Sequence, residues 1–180
     1  MTAFLGSAIV AAALMLPPSV MGTALWRHYE PWDLTPPRDL TRDIDRIVIE
    51  KGRRTMVAYR DGEIQKRYRI GLGFAPEGDK QQQGDGKTPE GVFRVDRRND
   101  RSRFHLSLGI DYPRPEDRAE AAERGVNPGG DIFIHGQPNK LADNMMIPGD
   151  WTEGCVAITN PEIEELFRHT RIGTEVEIRP

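Results

Sequence analysis

Beyond Trp26 the apolar residues come in runs of three or four, broken by glycine, proline, aspartate and asparagine, a rhythm that confines the chain to short strands with few helices. The distribution is uneven: 18 hydrophobic residues fall in positions 1 to 26 and 49 in the 154 that follow. A body of that length still buries a core of its own. Lysine plus arginine number 25 and aspartate plus glutamate 28, giving a net charge of −3 with both signs interspersed. That pattern excludes a polybasic nucleic-acid surface. The single cysteine, Cys155, excludes a disulfide framework and any thiolate-rich metal site, so it is available only as a free thiol.

Residues 1–26 hold no charged side chain, and Ala3 to Leu16 is an apolar helix former of the length of a signal-peptide core. Pro17 and Pro18 break it, and Gly22-Thr23-Ala24 offers a cleavage pattern. Export is the expectation; a cleaved signal and an uncleaved membrane anchor both fit. Residues 27–43 read as a linker or an arm laid over the domain, which occupies 44–180.

Within that domain, Ile47 to Ile49, Thr55 to Tyr59 and Ile64 to Ile70 predict an antiparallel meander, with turns at Lys51-Gly52 and Asp61-Gly62. A long polar loop, 71–87, precedes a strand at Val92 to Val95. Pro115 to Gly125 predicts an alanine-rich helix covering one sheet face. Strands follow at Asp131 to Ile134 and Cys155 to Thr159, then a helix capped by Asn160, then a strand at Thr174 to Ile178. The fold class expected is mainly β with two or three short helices.

The densest chemistry lies in Ile134-His135-Gly136 at one strand end and Trp151-Thr152-Glu153-Gly154-Cys155 leading into another. A neighbouring imidazole activates a thiol and later protonates a leaving amine. Glycine beside each lets a substrate backbone approach and leaves amide N–H groups for an oxyanion. Spacing alone leaves two other readings open, an inert buried thiol at Cys155 and a satisfied core histidine at His135. His105 reads as a strand residue, His169 as a partner of a helix dipole, and the charged loop around Asp79, Lys80, Asp85 and Lys87 as a solvated segment.

Gly84-Asp85-Gly86-Lys87-Thr88-Pro89-Glu90-Gly91-Val92-Phe93, Ile134-His135-Gly136 and Thr152-Glu153-Gly154-Cys155-Val156 occur in the order of the YkuD-type catalytic domain of L,D-transpeptidases, which residues 44 to 180 resemble. Gly78-Asp79-Lys80-Gln81, Tyr112-Pro113 and Trp151-Thr152 resemble its YafK-like branch. The resemblance implies a β-sandwich or mixed-sheet domain in the periplasm, acting on peptidoglycan stem peptides or a wall-anchored lipoprotein; contact of the front segment with the inner membrane is expected from its apolar composition. The resemblance also implies Cys155 as nucleophile toward the L-centre of diaminopimelate, through a thioester, and His135 as base and then acid. Backbone N–H groups at Gly154 and Cys155 would line the oxyanion hole, and Gly136, Tyr112, Trp151 and Thr152 would border the substrate. No metal or organic cofactor is implied. A hydrolase on the same site, an L,D-carboxypeptidase or an endopeptidase releasing lipoprotein, is the alternative, and a noncatalytic wall-binding module the third reading. Many members read Ser-His-Gly-Cys with arginine two residues later, where this chain has Thr152-Glu153-Gly154-Cys155 and Ala157; the direction of the reaction and the grip on the donor stem stay open.

Overall fold

The computed structural model of the protein describes residues 39–143 and 145–180. The apolar front and the arm up to residue 38 lie outside the described residues. Among those described, eight strands and two helices follow in the order β1 (Arg46–Glu50), β2 (Thr55–Arg60), β3 (Glu63–Arg69), β4 (Gly91–Ser102), β5 (His105–Ile110), α1 (Pro115–Glu123), β6 (Phe133–His135), β7 (Val156–Ala157), α2 (Asn160–His169) and β8 (Glu175–Arg179). The strands form one mixed sheet in the order β3-β2-β1-β8-β4-β5-β6-β7. Only β1 with β8 and β6 with β7 pair in parallel.

The meander forms as its turn residues dictate. Asp61 and Gly62 both take positive φ, 52° and 80°, the backbone that a two-residue hairpin needs to match strand twist. Strand β3 is an edge whose Glu63, Lys66, Arg67 and Arg69 discourage further pairing. Strand β4 is far longer than its four-residue apolar signal, because only Phe93 and Val95 are buried and the charged remainder looks like loop. Its first residues pair with β8; from Val95 it pairs with β5, with register shifts that carry the sheet from one half to the other.

Phe93, Ile47, Ile49, Leu108 and Ile134 lie in one core, each at most 1% exposed. Helix α2 lays Ile163 and Leu166 onto it, both fully buried. Burying each such side chain is worth about 1.5–3 kcal/mol. Leu40 belongs to the same core and its N–H donates to Glu165 Oε1 on α2, so the end of the expected linker packs as an arm on the domain.

Two helix expectations change. The N-cap of α2 is Thr159, whose N–H and hydroxyl both donate to Glu162 Oε2 in a capping box, at 2.9 and 2.6 Å. Asn160 is the first helical residue, and its side chain accepts the Gln137 N–H and donates to Asp143 instead. Helix α1 buries only Ala121, so it covers no sheet face; its alanines alternate with charges at no helical period. Urea unfolding should register the contrast: Leu166→Ala should cost about 3 kcal/mol, while Glu120→Gly in α1 should cost about 1 kcal/mol.

Candidate active site

His135 closes β6, and Cys155 immediately precedes β7, its parallel neighbour. Ile134 pairs with Val156 and His135 with Ala157. Ile134 and Val156 are buried in the core, so strand alternation turns His135, Ala157, Phe133 and Cys155 to the other face. The thiol and the imidazole are diagonal neighbours on that face. The Cys155 sulfur is bracketed by the β6 approach: it donates to Asp131 O at 3.5 Å and accepts from the Phe133 N–H.

The imidazole is held in one tautomer. His135 Nδ1 lies 2.6 Å from the Gly136 carbonyl, which only accepts, so Nδ1 carries the proton and Nε2 of the neutral ring is left as a base. Phe104 stacks on the ring at 4.6 Å between centroids, and Trp151 meets it edge-on at 5.8 Å. Burial lowers the imidazole pKa against a smaller opposing pull from the Gly136 carbonyl. Burial also dominates at Cys155, pushing the thiol up to about 11; the Phe133 N–H and the Lys80 ammonium pull it down, while Asp131 and Glu153 push it further up. The resting pair is therefore neutral thiol with neutral imidazole, and the thiolate must be generated during attack.

The turn before Cys155 is tied by Thr152. Its hydroxyl donates to the Cys155 carbonyl at 2.7 Å and accepts the Gly154 N–H at 3.2 Å, with the side chain buried. Gly154 thus spends its N–H inside the turn and is not the free oxyanion donor expected. Its φ of +133°, and a phantom Cβ only 2.6 Å from Lys87 O, show that its bareness admits the neighbouring loop. Gly136 is likewise a packing residue, since a Cβ there would stand 2.6 Å from Asn160 Oδ1 and 2.9 Å from Ile163. Tyr112, 5% exposed, packs in the core against Phe93 and donates to Pro128 O at 3.1 Å. Trp151 serves the imidazole wall, its indole lying over Gly71.

The loop expected to be solvated is built from buried ion pairs. Lys80, 6% exposed, donates to Asp85 at 2.8 Å and to Gln82 O at 3.1 Å. Asp85 also accepts the N–H groups of Gln81, Gln82 and Lys87. Burial alone would raise its carboxyl, yet these donors hold it at about 2. Lys51, in the first turn, reaches in to Gly78 O, Thr88 O and Glu90. The segment between the two candidate residues is pinned at both ends: fully buried Gln137 bonds Ile158 O and the Ile147 N–H, and Asp150 binds the Arg54 guanidinium and the Leu72 N–H. None of Phe104, Lys51, Gln137 or Asp150 carries a signal in sequence beyond proximity to a motif, whereas Lys80 stands inside one, in Gly78-Asp79-Lys80-Gln81. His105 pairs with Glu164 on α2 at 2.8 Å and His169 with Asp43, both outside this cluster.

The mostly β mixed sheet agrees with what comparison with known proteins shows. The chain belongs to the YkuD family, L,D-transpeptidase catalytic domain, whose model matches residues 44–178. It is 36% identical over 94 residues to YafK of Escherichia coli (strain K12), whose name places it provisionally among the L,D-transpeptidases; the match covers 51% of this chain and 31% of that protein. Among solved structures it is similar to a point mutant of Pgp2, described as the helical cell shape determining protein of Campylobacter jejuni, at 25% identity and a TM-score of 0.59, covering 77% of this chain and 48% of that one. Bd1075 of Bdellovibrio bacteriovorus shares the fold, with 23% identity, a TM-score of 0.53 and coverage of 80% and 53%. The matched region thus spans about a third of the curated relative and half of the solved ones.

With the thiol pKa raised, the thiolate fraction at neutral pH is roughly one in ten thousand and grows about tenfold per pH unit. Alkylation of Cys155 by iodoacetamide should therefore climb through pH 9 without levelling and flatten only near 11. A plateau reached by pH 8 would contradict a buried neutral thiol.

Proposed function

We propose that the domain is a periplasmic peptidoglycan L,D-transpeptidase in which Cys155 is the nucleophile and His135 its base. The observation that supports this most directly is the His135 tautomer: Nδ1 is fixed on the Gly136 carbonyl, which leaves Nε2 basic on the sheet face that also carries the thiol. The Cys155 sulfur attacks the carbonyl on the L-centre of diaminopimelate while Nε2 takes the thiol proton. The carbon–nitrogen bond to the terminal D-residue then breaks, and the imidazolium returns that proton to the leaving amine. The product is a thioester. An amine from a second stem attacks it, His135 accepts the amine's proton, and the thiol is restored as the new amide forms.

Two features make the site suited to that sequence. Neutral partners at rest avoid burying a separated ion pair, and charge appears only while the substrate covers the site. The Cys155 N–H is the donor assigned to the developing oxyanion, with Gly154 tied back to Thr152.

Muropeptide chromatography with the purified full chain decides the outcome. Transfer should yield new cross-linked products from stem tetrapeptides; shortened, uncoupled stems alone would instead assign the hydrolase. Cys155→Ala should abolish both, and His135→Ala should lower turnover by about 10²–10⁴-fold. Intact mass after incubation with a carbapenem should show one adduct, on Cys155, and an unmodified mass would refute the nucleophile.

A further inference from the structure

The face that carries the thiol continues across two more strands. Arg97 on β4 stands opposite Gly109 on β5, which stands opposite Phe133 on β6, which in turn flanks Cys155. Gly109 leaves a trough in this row. A Cβ there would lie 2.5 Å from Arg97 Cγ and 2.9 Å from its Cζ, so the arginine side chain fills the space a larger residue would take. The guanidinium comes to rest over the Phe133 ring, 4.6 Å from its centroid. That puts it above β6, one strand spacing, about 4.8 Å, from the line of Cys155.

The two sides of the thiol differ. Toward His135 the row is closed by Phe104, Trp151 and the backbone of Gly71, which exchanges both hydrogen bonds with fully buried Ala157. Toward Phe133 and Arg97 it is open, with the arginine side chain 37% exposed. Lys80 also acts on Cys155, but its side chain is 3% exposed and its ammonium is committed to Asp85 and Gln82 O. Arg97 is held in place from two sides, by Asp96 at 2.8 and 2.9 Å and by Asp131 at 3.2 Å. Asp131 is itself 89% exposed, and its carbonyl contacts the Cys155 sulfur.

We infer that Arg97 and Asp131 form a subsite for an amino-acid head group, Arg97 taking a carboxylate and Asp131 an ammonium. This rests on the proposed stem-peptide substrate and names what reads it. In diaminopimelate the attacked L-centre is joined by a short methylene chain to a D-centre bearing both groups. With the L-centre carbonyl at Cys155, that chain lies along the Phe133 ring and brings the D-centre to the Arg97–Asp131 pair. A guanidinium stacked on an aromatic ring and fixed by a carboxylate loses little freedom on engaging a second carboxylate. The subsite supplies the cation that Ala157 cannot.

Paired tetrapeptides that differ only at the third residue provide the test. One carries diaminopimelate and the other L-lysine, which keeps the amine and lacks the D-centre carboxylate. The full chain should favour the diaminopimelate peptide by about 10-fold or more in kcat/KM. In Arg97→Gln and Arg97→Ala that ratio should fall toward one, chiefly through KM, while Arg97→Lys keeps part of it. An unaltered ratio in the variants, or no preference in the unmodified chain, overturns the subsite while leaving the transpeptidase reading intact. If the unmodified chain acts on neither peptide, it is the substrate reading that fails.

Discussion

Two parallel hydrogen-bonded registers, Ile134 with Val156 and His135 with Ala157, hold the candidate site together. They join segments that sequence separates by 20 positions and set which residues share a face. Since Ile134 and Val156 both face the main core, His135 and Cys155 share the opposite face, and a slip of one residue would turn one partner of the pair away from the other. So short a ladder cannot hold itself. It is supported behind by Ile163 and Asn160 of α2 packed into the bare Gly136, and in front by Gly71, paired with Ala157.

The polar residues around it work as fasteners. Lys51, Lys80 and Asp85 organise the loop over the cysteine turn, and Gln137 and Asp150 anchor the intervening segment. Each brings polar groups out of water, and each is stabilising only because its hydrogen-bonding capacity is largely met. The same burial sets the chemistry of the pair, raising the thiol and lowering the imidazole so that both rest uncharged. The catalytic cycle proposed above draws on that state: a proton moves when the substrate arrives, and none needs to be stored beforehand.

Much of this was legible beforehand. The Asp61-Gly62 hairpin, the β1 to β3 meander and the short run ending in His135 follow from turn chemistry and alternation, which act over a few residues. The failures have a common cause. Strand β4 hides because its outer half is charged and exposed, and is held as a strand only by its pairing with β5; Thr159 displaces Asn160 as cap because Asn160 is needed by Gln137; Lys80 and Asp85 read as solvated because their partnership is made only once the loop folds. Gly136 and Tyr112 are expected at the substrate border and Gly154 in the oxyanion hole, whereas the structure engages the first two in close packing and the Gly154 N–H in a turn bond.

Sequence alone determined the ingredients: one thiol, a histidine at a strand end, glycine where backbones must pass closely, and an alternation that commits the body to a mostly β sheet. It also specified the family, since the motifs stand in the family's order. Tertiary structure decided the relations among them. The burial of His135 between Phe104 and Trp151, the neutral state of Cys155 and the reach of Arg97 across Gly109 to Phe133 all depend on contacts between residues far apart in the chain. Local pattern is written in steric and hydrogen-bonding preferences of neighbours, while proton positions and substrate-facing charge follow from burial, which exists only after the strands have met.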